Sequence, residues 1–259
     1  MSLDFLDSMP AAVGRQRDLL RRLLELIGPD PAWRWFELSC SLSRGAGDEL
    51  SDVDCGAGVV DWPTTVATVD GLVRELGPVI DVLHQPFGTD ATHTFVQYAD
   101  GLQLSLVVMP AEARPGLPPP SVALLDKDGR LATPWRPSAY RSSAAQVREW
   151  TFLGWIALAD LAKYLQRGSL WEARVKLEDA RAELFRLWVA GHDVDYPAFG
   201  LTSILETAGL ELPSGIESTV VGLNPAALRT AARHCATLLR AHGVELAMGD
   251  YVDDPTRCN

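Results

Sequence analysis

Apolar and polar positions alternate along this chain with two different periods, and the change between them divides it. Leu19, Leu20, Leu23, Leu24 and Ile27 recur at steps of three and four, and Gly28-Pro29 follows them. That spacing predicts a helix over about residues 11–27 that the Gly-Pro pair ends. The aromatic and apolar run 33–40 predicts a strand, and a Gly- and Ser-bearing turn leads on to Glu49 and Leu50. A second strand is expected over 53–60, with Asp52 and Asp54 at its start. A helix over 65–76, closed by Gly77-Pro78, comes next. Three β-prone runs follow at 79–83, 93–98 and 102–108, and Asp100-Gly101 between the last two is a strong hairpin signal. Residues 110–120 hold five prolines and read as a loop, after which 122–129 reads as an edge strand ending in a turn.

From about residue 142 the period becomes helical throughout. Val147, Trp150, Leu153, Leu158, Leu161 and Leu165 predict one long helix ending at Gly168. Leu170, Ala173, Leu177, Ala180, Leu184 and Leu187 give the next helix an apolar stripe. Asn224-Pro225 forms an N-cap and first-turn pair, and Gly243 a C-terminal stop, around Leu228, Cys235, Leu238 and Leu239. The expected fold class is α+β: a mixed sheet with flanking helices over residues 1–137, then an α-helical bundle over 138–259.

Composition narrows the function classes. The chain has 259 residues, 47% hydrophobic and 22% charged, as expected of a folded globular protein. No apolar run approaches the ~18–20 residues that span a bilayer, and the acidic start Met1-Ser-Leu-Asp-Phe-Leu-Asp does not resemble a signal peptide. A cytoplasmic protein with no membrane partner is the expectation. The net charge of −11 argues against a broad nucleic-acid surface, while leaving room for a local basic pocket or an acidic cleft suited to a cationic small molecule. Cys40, Cys55, Cys235 and Cys258 form no zinc spacing, so buried reduced thiols are expected, with Cys258 in a frayed tail beyond Asp253-Asp254. The five histidines, His93 among them, are scattered and read as structural or surface residues. The bundle tryptophans Trp150, Trp155, Trp171 and Trp188 read as packing residues.

The chemistry concentrates at 41–54. Carboxylates at i and i+2 on a strand share a face, so Asp52 and Asp54 can both reach one divalent cation. Mg²⁺ is typically held by one or two carboxylates plus substrate phosphates. Just upstream, the Ser41 hydroxyl, the backbone around Gly45 and the charge of Arg44 can receive phosphate oxygens.

The run Ser41-Leu-Ser-Arg-Gly-Ala-Gly-Asp-Glu-Leu-Ser-Asp-Val-Asp54 resembles the signature of the nucleotidyltransferase superfamily, the DNA polymerase beta-like fold. Its phrasing is similar to the branch holding the aminoglycoside and lincosamide adenylyltransferases, which join a catalytic sheet to a helical bundle. The resemblance implies Mg²⁺-dependent transfer of a nucleoside monophosphate, from ATP or another NTP, to a hydroxyl of a small molecule such as an aminoglycoside-type antibiotic. Asp52 and Asp54 are then the metal ligands, and Ser41, Arg44 and Gly45 bind the β- and γ-phosphates.

Two positions depart from the family pattern. Cys40 replaces the glycine before the serine, and Ser105 stands where the third carboxylate belongs on the strand 102–109. A serine needs an activating neighbour to act as a base. Glu149 in the helical half is the leading substitute acid and Asp100 the second. The alternatives are a nucleotide-binding or regulatory protein of the same fold with weakened catalysis, and an antitoxin-like interaction partner.

Overall fold

The structure, a computed structural model, describes residues 2–114, 116–135 and 140–243. The chain divides into two compact units, Met1–Trp135 and Arg136–Asn259. The fold class is α+β. Among the described residues no helix is long and apolar enough to cross a membrane.

The first unit opens with α1 (Ser2–Ser8), which the sequence pattern did not announce, and α2 (Gly14–Ile27), preceded by one 3-10 turn at Ala11–Val13. Next come β1 (Trp33–Leu38), the single-turn α3 (Cys40–Ser43), β2 (Val53–Val59) and α4 (Trp62–Leu76). Asp61 caps α4 by accepting from the Thr64 N–H, with Pro63 in the first turn, so the helix begins three residues earlier than its apolar spacing suggests. The strands β3 (Val79–Pro86), β4 (Thr92–Tyr98), β5 (Gln103–Pro110) and β6 (Val122–Asp126) complete a six-stranded sheet of order β3-β4-β5-β2-β1-β6. The expected hairpin at Asp100-Gly101 joins β4 to β5, with Gly101 at φ 89°. The strand 122–126 lies at the sheet edge as expected.

One face of this sheet carries the core. Phe36 and Leu38 of β1, Val53, Cys55 and Ala57 of β2, and Leu104 and Leu106 of β5 pack beneath Leu20, Leu23 and Ile27 of α2 and Val69 and Val73 of α4. Each fully buried Leu or Ile contributes about 1.5–3 kcal/mol. Period-two alternation then sends the intervening residues to the opposite face: Trp35 and Glu37, Asp54, Gly56 and Gly58, Ser105, and His93 and Phe95.

That second face is closed at one end and open at the other. Its closed end holds Trp35 with Met109, Ala111, Leu131 and Ala91, and the indole N–H of Trp35 donates to the Ala111 carbonyl at 3.0 Å. Here the glycines of β2 are obligatory. A Cβ on Gly58 would stand 2.0 Å from the Trp35 ring, and one on Gly56 2.6 Å from Glu37 Oε1. Glu37, 2% exposed, is paired with Arg114, whose guanidinium lies over the rings of Trp35 (4.8 Å) and Trp135 (5.6 Å). Burial still pushes the Glu37 carboxyl up, against the pull of Arg114.

The second unit is built on α5 (Ala144–Gln166), α6 (Leu170–Gly191) and, after the short α7 (Leu201–Glu206), α8 (Pro225–His242). Trp150, Trp155, Leu161, Leu177, Leu184, Leu228 and Leu239 form its core. Ser143 and Gln146 make a reciprocal capping box on α5, and Asn224 caps α8 by accepting from the Ala226 and Ala227 N–H groups. Arg181, almost fully buried, donates to the Thr219 hydroxyl and carbonyl and so ties the 216–219 turn to α6. Of the four bundle tryptophans, Trp171 is a correction: it is 72% exposed on the first turn of α6, because the Leu170, Ala173, Leu177 stripe faces inward and Trp171 falls outside it. Cys55 and Cys235 are buried thiols and Cys40 is exposed; Cys258 and Asp253-Asp254 lie outside the described residues.

Replacing Gly58 by Ala should destabilise the first unit by about 1–3 kcal/mol, the usual cost of overpacking a fitted site. The same change at Gly71 on α4, where a Cβ meets nothing within 4 Å, should be neutral or slightly stabilising. Urea unfolding of the two variants checks the contrast.

Candidate functional site

At its open end the second face of the sheet holds a depression of about 300 Å³. Asp52, Asp54, Asp81, Phe95 and Ser105 are among the side chains that line it. Asp54 is on β2 and Asp52 stands one residue before the strand, so the i, i+2 relation places both carboxylates at this depression. β2 and β5 run parallel, and in their register Asp54 lies directly beside Ser105. The third-acid position read from the sequence is thus the strand neighbour of Asp54, and a serine occupies it. Among the described residues no group of three or more His, Cys, Asp or Glu side chains converges as a metal site. The cleft offers two close carboxylates.

Those two carboxylates oppose each other. The Asp52 carboxyl is pushed up first by partial burial and then by the negative charge of Asp54. Such a pair is relieved by a divalent cation. The donor set suits Mg²⁺, which accepts one or two carboxylates and completes its shell with phosphate and water oxygens.

The loop that presents Asp52 is held from beneath. The Gln16 side chain, 1% exposed on α2, points its amide nitrogen at the carbonyls of Asp48 (3.2 Å), Glu49 (3.3 Å) and Ser51 (2.9 Å). Within the loop, Asp48 Oδ1 accepts from the Leu50 N–H and the Ser51 hydroxyl. Sequence reading passed over Gln16, because a glutamine on an apolar helical face gives no signal of what it grips.

The candidate phosphate turn follows β1. The Ser39 N–H donates to the Asp54 carbonyl at 2.8 Å, so the turn begins beside the first residues of β2. Ser41 lies within α3, whose four residues run from Cys40 to Ser43. Arg44 caps it, and Gly45 leaves it at φ 71°. Cys40 itself sits at φ 57°, in the left-handed region that favours glycine. The backbone therefore holds a conformation suited to glycine, at a cost of about 1–2 kcal/mol for an L-residue.

Ser105 has a partner the sequence did not suggest. Its hydroxyl shares a hydrogen bond of 2.8 Å with His93 Nε2. Phe95 is opposite Ser105 and His93 opposite Val107 in the β4–β5 hairpin, so His93 is the diagonal neighbour of Ser105 on the same face. The His93 ring packs against Phe95, with centroids 3.8 Å apart and the planes tilted by 33°, and meets Phe87 edge-on at 5.8 Å. Burial lowers the His93 pKa, and the charge of Asp54 opposes that shift. The hairpin signal alone would not have found it: a two-residue turn at Asp100-Gly101 pairs 95 with 106, whereas the loop spans 99–101, with the Tyr98 N–H on the Leu102 carbonyl, and so sets 95 opposite 105.

The other acids considered from sequence are one on a turn of the sheet and one in the second unit. Asp100 is on the β4–β5 turn, engaged by Arg15 at 2.7 Å and by the Leu102 N–H at 3.1 Å, and these contacts hold its carboxyl low. Glu149 is exposed on α5, in the second unit. A larger depression of about 490 Å³ lies beside α4 and includes Trp62, Asp70 and His84. Both ring nitrogens of that histidine are occupied, Nε2 by Asp70 at 2.7 Å and Nδ1 by the buried Thr94 hydroxyl at 2.9 Å. It lacks a carboxylate pair, and the chemistry concentrates in the smaller depression.

Two outcomes follow from these charges and this backbone. A carboxyl whose folded-state pKa is raised costs stability once pH rises above that pKa, so Asp52→Asn should raise the melting temperature at pH 7, with the gain vanishing as pH falls through the carboxylate range near 4. Thermal unfolding across pH checks it. Cys40→Gly, which removes the left-handed strain but adds unfolded-state freedom, should stabilise by roughly 0.5–1 kcal/mol, and Cys40→Val should destabilise.

Comparison with known proteins adds the following. No family model and no curated protein sequence matches the chain. Among solved structures, an aminoglycoside 6-adenyltransferase from Bacillus subtilis aligns over 95% of this chain and 99% of its own, at 16% identity and a TM-score of 0.41. JHP933 from Helicobacter pylori aligns over 90% of this chain and 94% of its own, at 12% identity and a TM-score of 0.32. Likeness at these TM-scores carries no argument about activity, which rests on the residues of the site.

Proposed function

We propose that the protein binds a nucleoside triphosphate with Mg²⁺ and transfers its nucleoside monophosphate, as AMP from ATP, to a hydroxyl of a small molecule. The observation that carries this reading is the opposed pair Asp52 and Asp54 at one depression, next to the turn that starts beside β2. Asp52 and Asp54 would hold the metal, and Ser41, Arg44 and Gly45 the β- and γ-phosphates. When bound, Mg²⁺ supplies positive charge against the triphosphate. In the transfer, the acceptor oxygen forms a bond to the α-phosphorus, the bond from that phosphorus to the β-phosphate oxygen breaks, and pyrophosphate leaves with the electron pair. The acceptor proton must go to a base, for which the sequence offers Glu149.

The rim bears on the acceptor. Asp81 is exposed at the depression, and Leu83 (52% exposed) and Phe95 (39%) present apolar surface there. A polyhydroxylated compound with an amino cation, of the aminoglycoside type, matches the acid, and its ring faces match Phe95. A second reading has its own observation. Ser105 beside Asp54 removes the third carboxylate, which favours a nucleotide-binding or regulatory protein with weakened turnover.

Calorimetric titration with Mg²⁺ and α,β-methylene-ATP tests the shared core of both readings. Binding should require the metal and weaken at least tenfold in Asp54→Ala. Metal-independent binding, or binding unchanged in that variant, would contradict the assignment.

A further inference from the structure

We propose that Ser105 and His93 form a proton relay that replaces the missing third carboxylate: the Ser105 hydroxyl contacts the acceptor hydroxyl, and His93 Nε2 takes the proton. This rests on the transfer reading above and gives its proton a path on the sheet itself, in place of Glu149.

Three features of the same sheet face support it. First, the pair is placed where a proton acceptor is needed. Ser105 is the parallel-strand neighbour of Asp54 and lines the depression together with Asp52 and Asp54. His93 is one strand further out on the same face. Second, the two atoms are already in hydrogen-bond contact, at 2.8 Å between Ser105 Oγ and His93 Nε2. A serine hydroxyl is a weak base by itself, and contact with an imidazole is what activates it. Third, the imidazole is fixed. Phe95 packs against it at 3.8 Å with the rings tilted by 33°, and Phe87 meets it edge-on at 5.8 Å, so its plane and its Nε2 direction are set by packing. A histidine present only to fill space would not need its nitrogen aimed at the hydroxyl of the strand neighbour of Asp54.

The step balances as follows. As the acceptor oxygen bonds to the α-phosphorus and pyrophosphate departs, the acceptor proton passes to Ser105 Oγ. The proton originally on that oxygen passes to His93 Nε2, leaving an imidazolium that returns its proton to water. Ser105 ends as it began. Burial, which disfavours the charged ring, leaves the imidazole in the form able to accept.

The test uses the full chain and Mg²⁺·ATP, with water and glycerol as hydroxyl donors and pyrophosphate release as the signal. His93→Gln and Ser105→Ala should each lower kcat by about 10²-fold, within the usual 10²–10⁴-fold contribution of a base. KM for ATP and the affinity for α,β-methylene-ATP should stay within threefold (roughly 0.7 kcal/mol or less). Added imidazole should restore part of the rate in His93→Gly, which a purely structural loss would not allow. In Ser105→Asp, the carboxylate takes the proton itself, so adding His93→Gln should cost little more. Nitrogen-15 NMR of wild type should show His93 with its proton on Nδ1 and Nε2 accepting, with the Nε2 signal shifting in Ser105→Ala. Full activity in His93→Gln, a loss matched by weaker analogue binding, or a proton on Nε2 in the wild type would overturn the relay alone. Wild type that binds the analogue but releases no pyrophosphate overturns the relay together with the transfer reading.

Discussion

The parallel pairing of β2 with β5 decides what the candidate site contains. Every other strand pair in the sheet is antiparallel, and this one crossing brings the start of β2 beside the start of β5, with Asp54 next to Ser105. A slip of one residue would turn Leu104 or Leu106 to the open face and Ser105 into the core. The register is held by apolar alternation on both strands, Val53, Cys55 and Ala57 against Leu104, Leu106 and Val108, all buried under the helices. The core therefore fixes the chemistry on the opposite face. His93 follows from the same constraint, because the short turn at Asp100-Gly101 sets β4 against β5.

The second face is divided by what β2 lacks. Gly56 and Gly58 leave room for Glu37 and Trp35, and with Arg114 and Met109 these fill the sheet's closed end. Burying the Glu37–Arg114 pair adds little net stability, since desolvation offsets much of the attraction, yet removing either partner would leave a buried charge uncompensated. At the other end Asp54 and Ser105 are half-buried and line a depression open to a ligand. Gln16 supports that opening from the core side by gripping three carbonyls of the 48–51 loop.

Much of this was legible in the sequence. Helix stripes and Gly-Pro stops located α2 and α4, Asp100-Gly101 located the hairpin, and the i, i+2 acids placed Asp52 and Asp54 on one face. Ser105 was singled out by resemblance as the place of a third carboxylate, while its position beside Asp54 comes from the strand pairing. What escaped depends on contacts between distant segments. Gln16 and the 48–51 loop are more than thirty positions apart. His93 reads as an isolated histidine until the hairpin sets it against Ser105. Cys40 looked like the end of a strand, but its left-handed φ makes it the first residue of α3, with the backbone a glycine would take.

The proposed function depends on Asp52 and Asp54 holding a divalent cation with nucleotide phosphate on the open sheet face. A crystal of the full chain grown with Mn²⁺ and α,β-methylene-ATP measures this directly through the metal's anomalous signal. The expected peak is ligated by both carboxylates at about 2.0–2.3 Å, near the usual distances for hard divalent cations, with the triphosphate reaching the 41–45 turn. A peak away from these two residues, or a nucleotide seated at the depression beside α4, would contradict it.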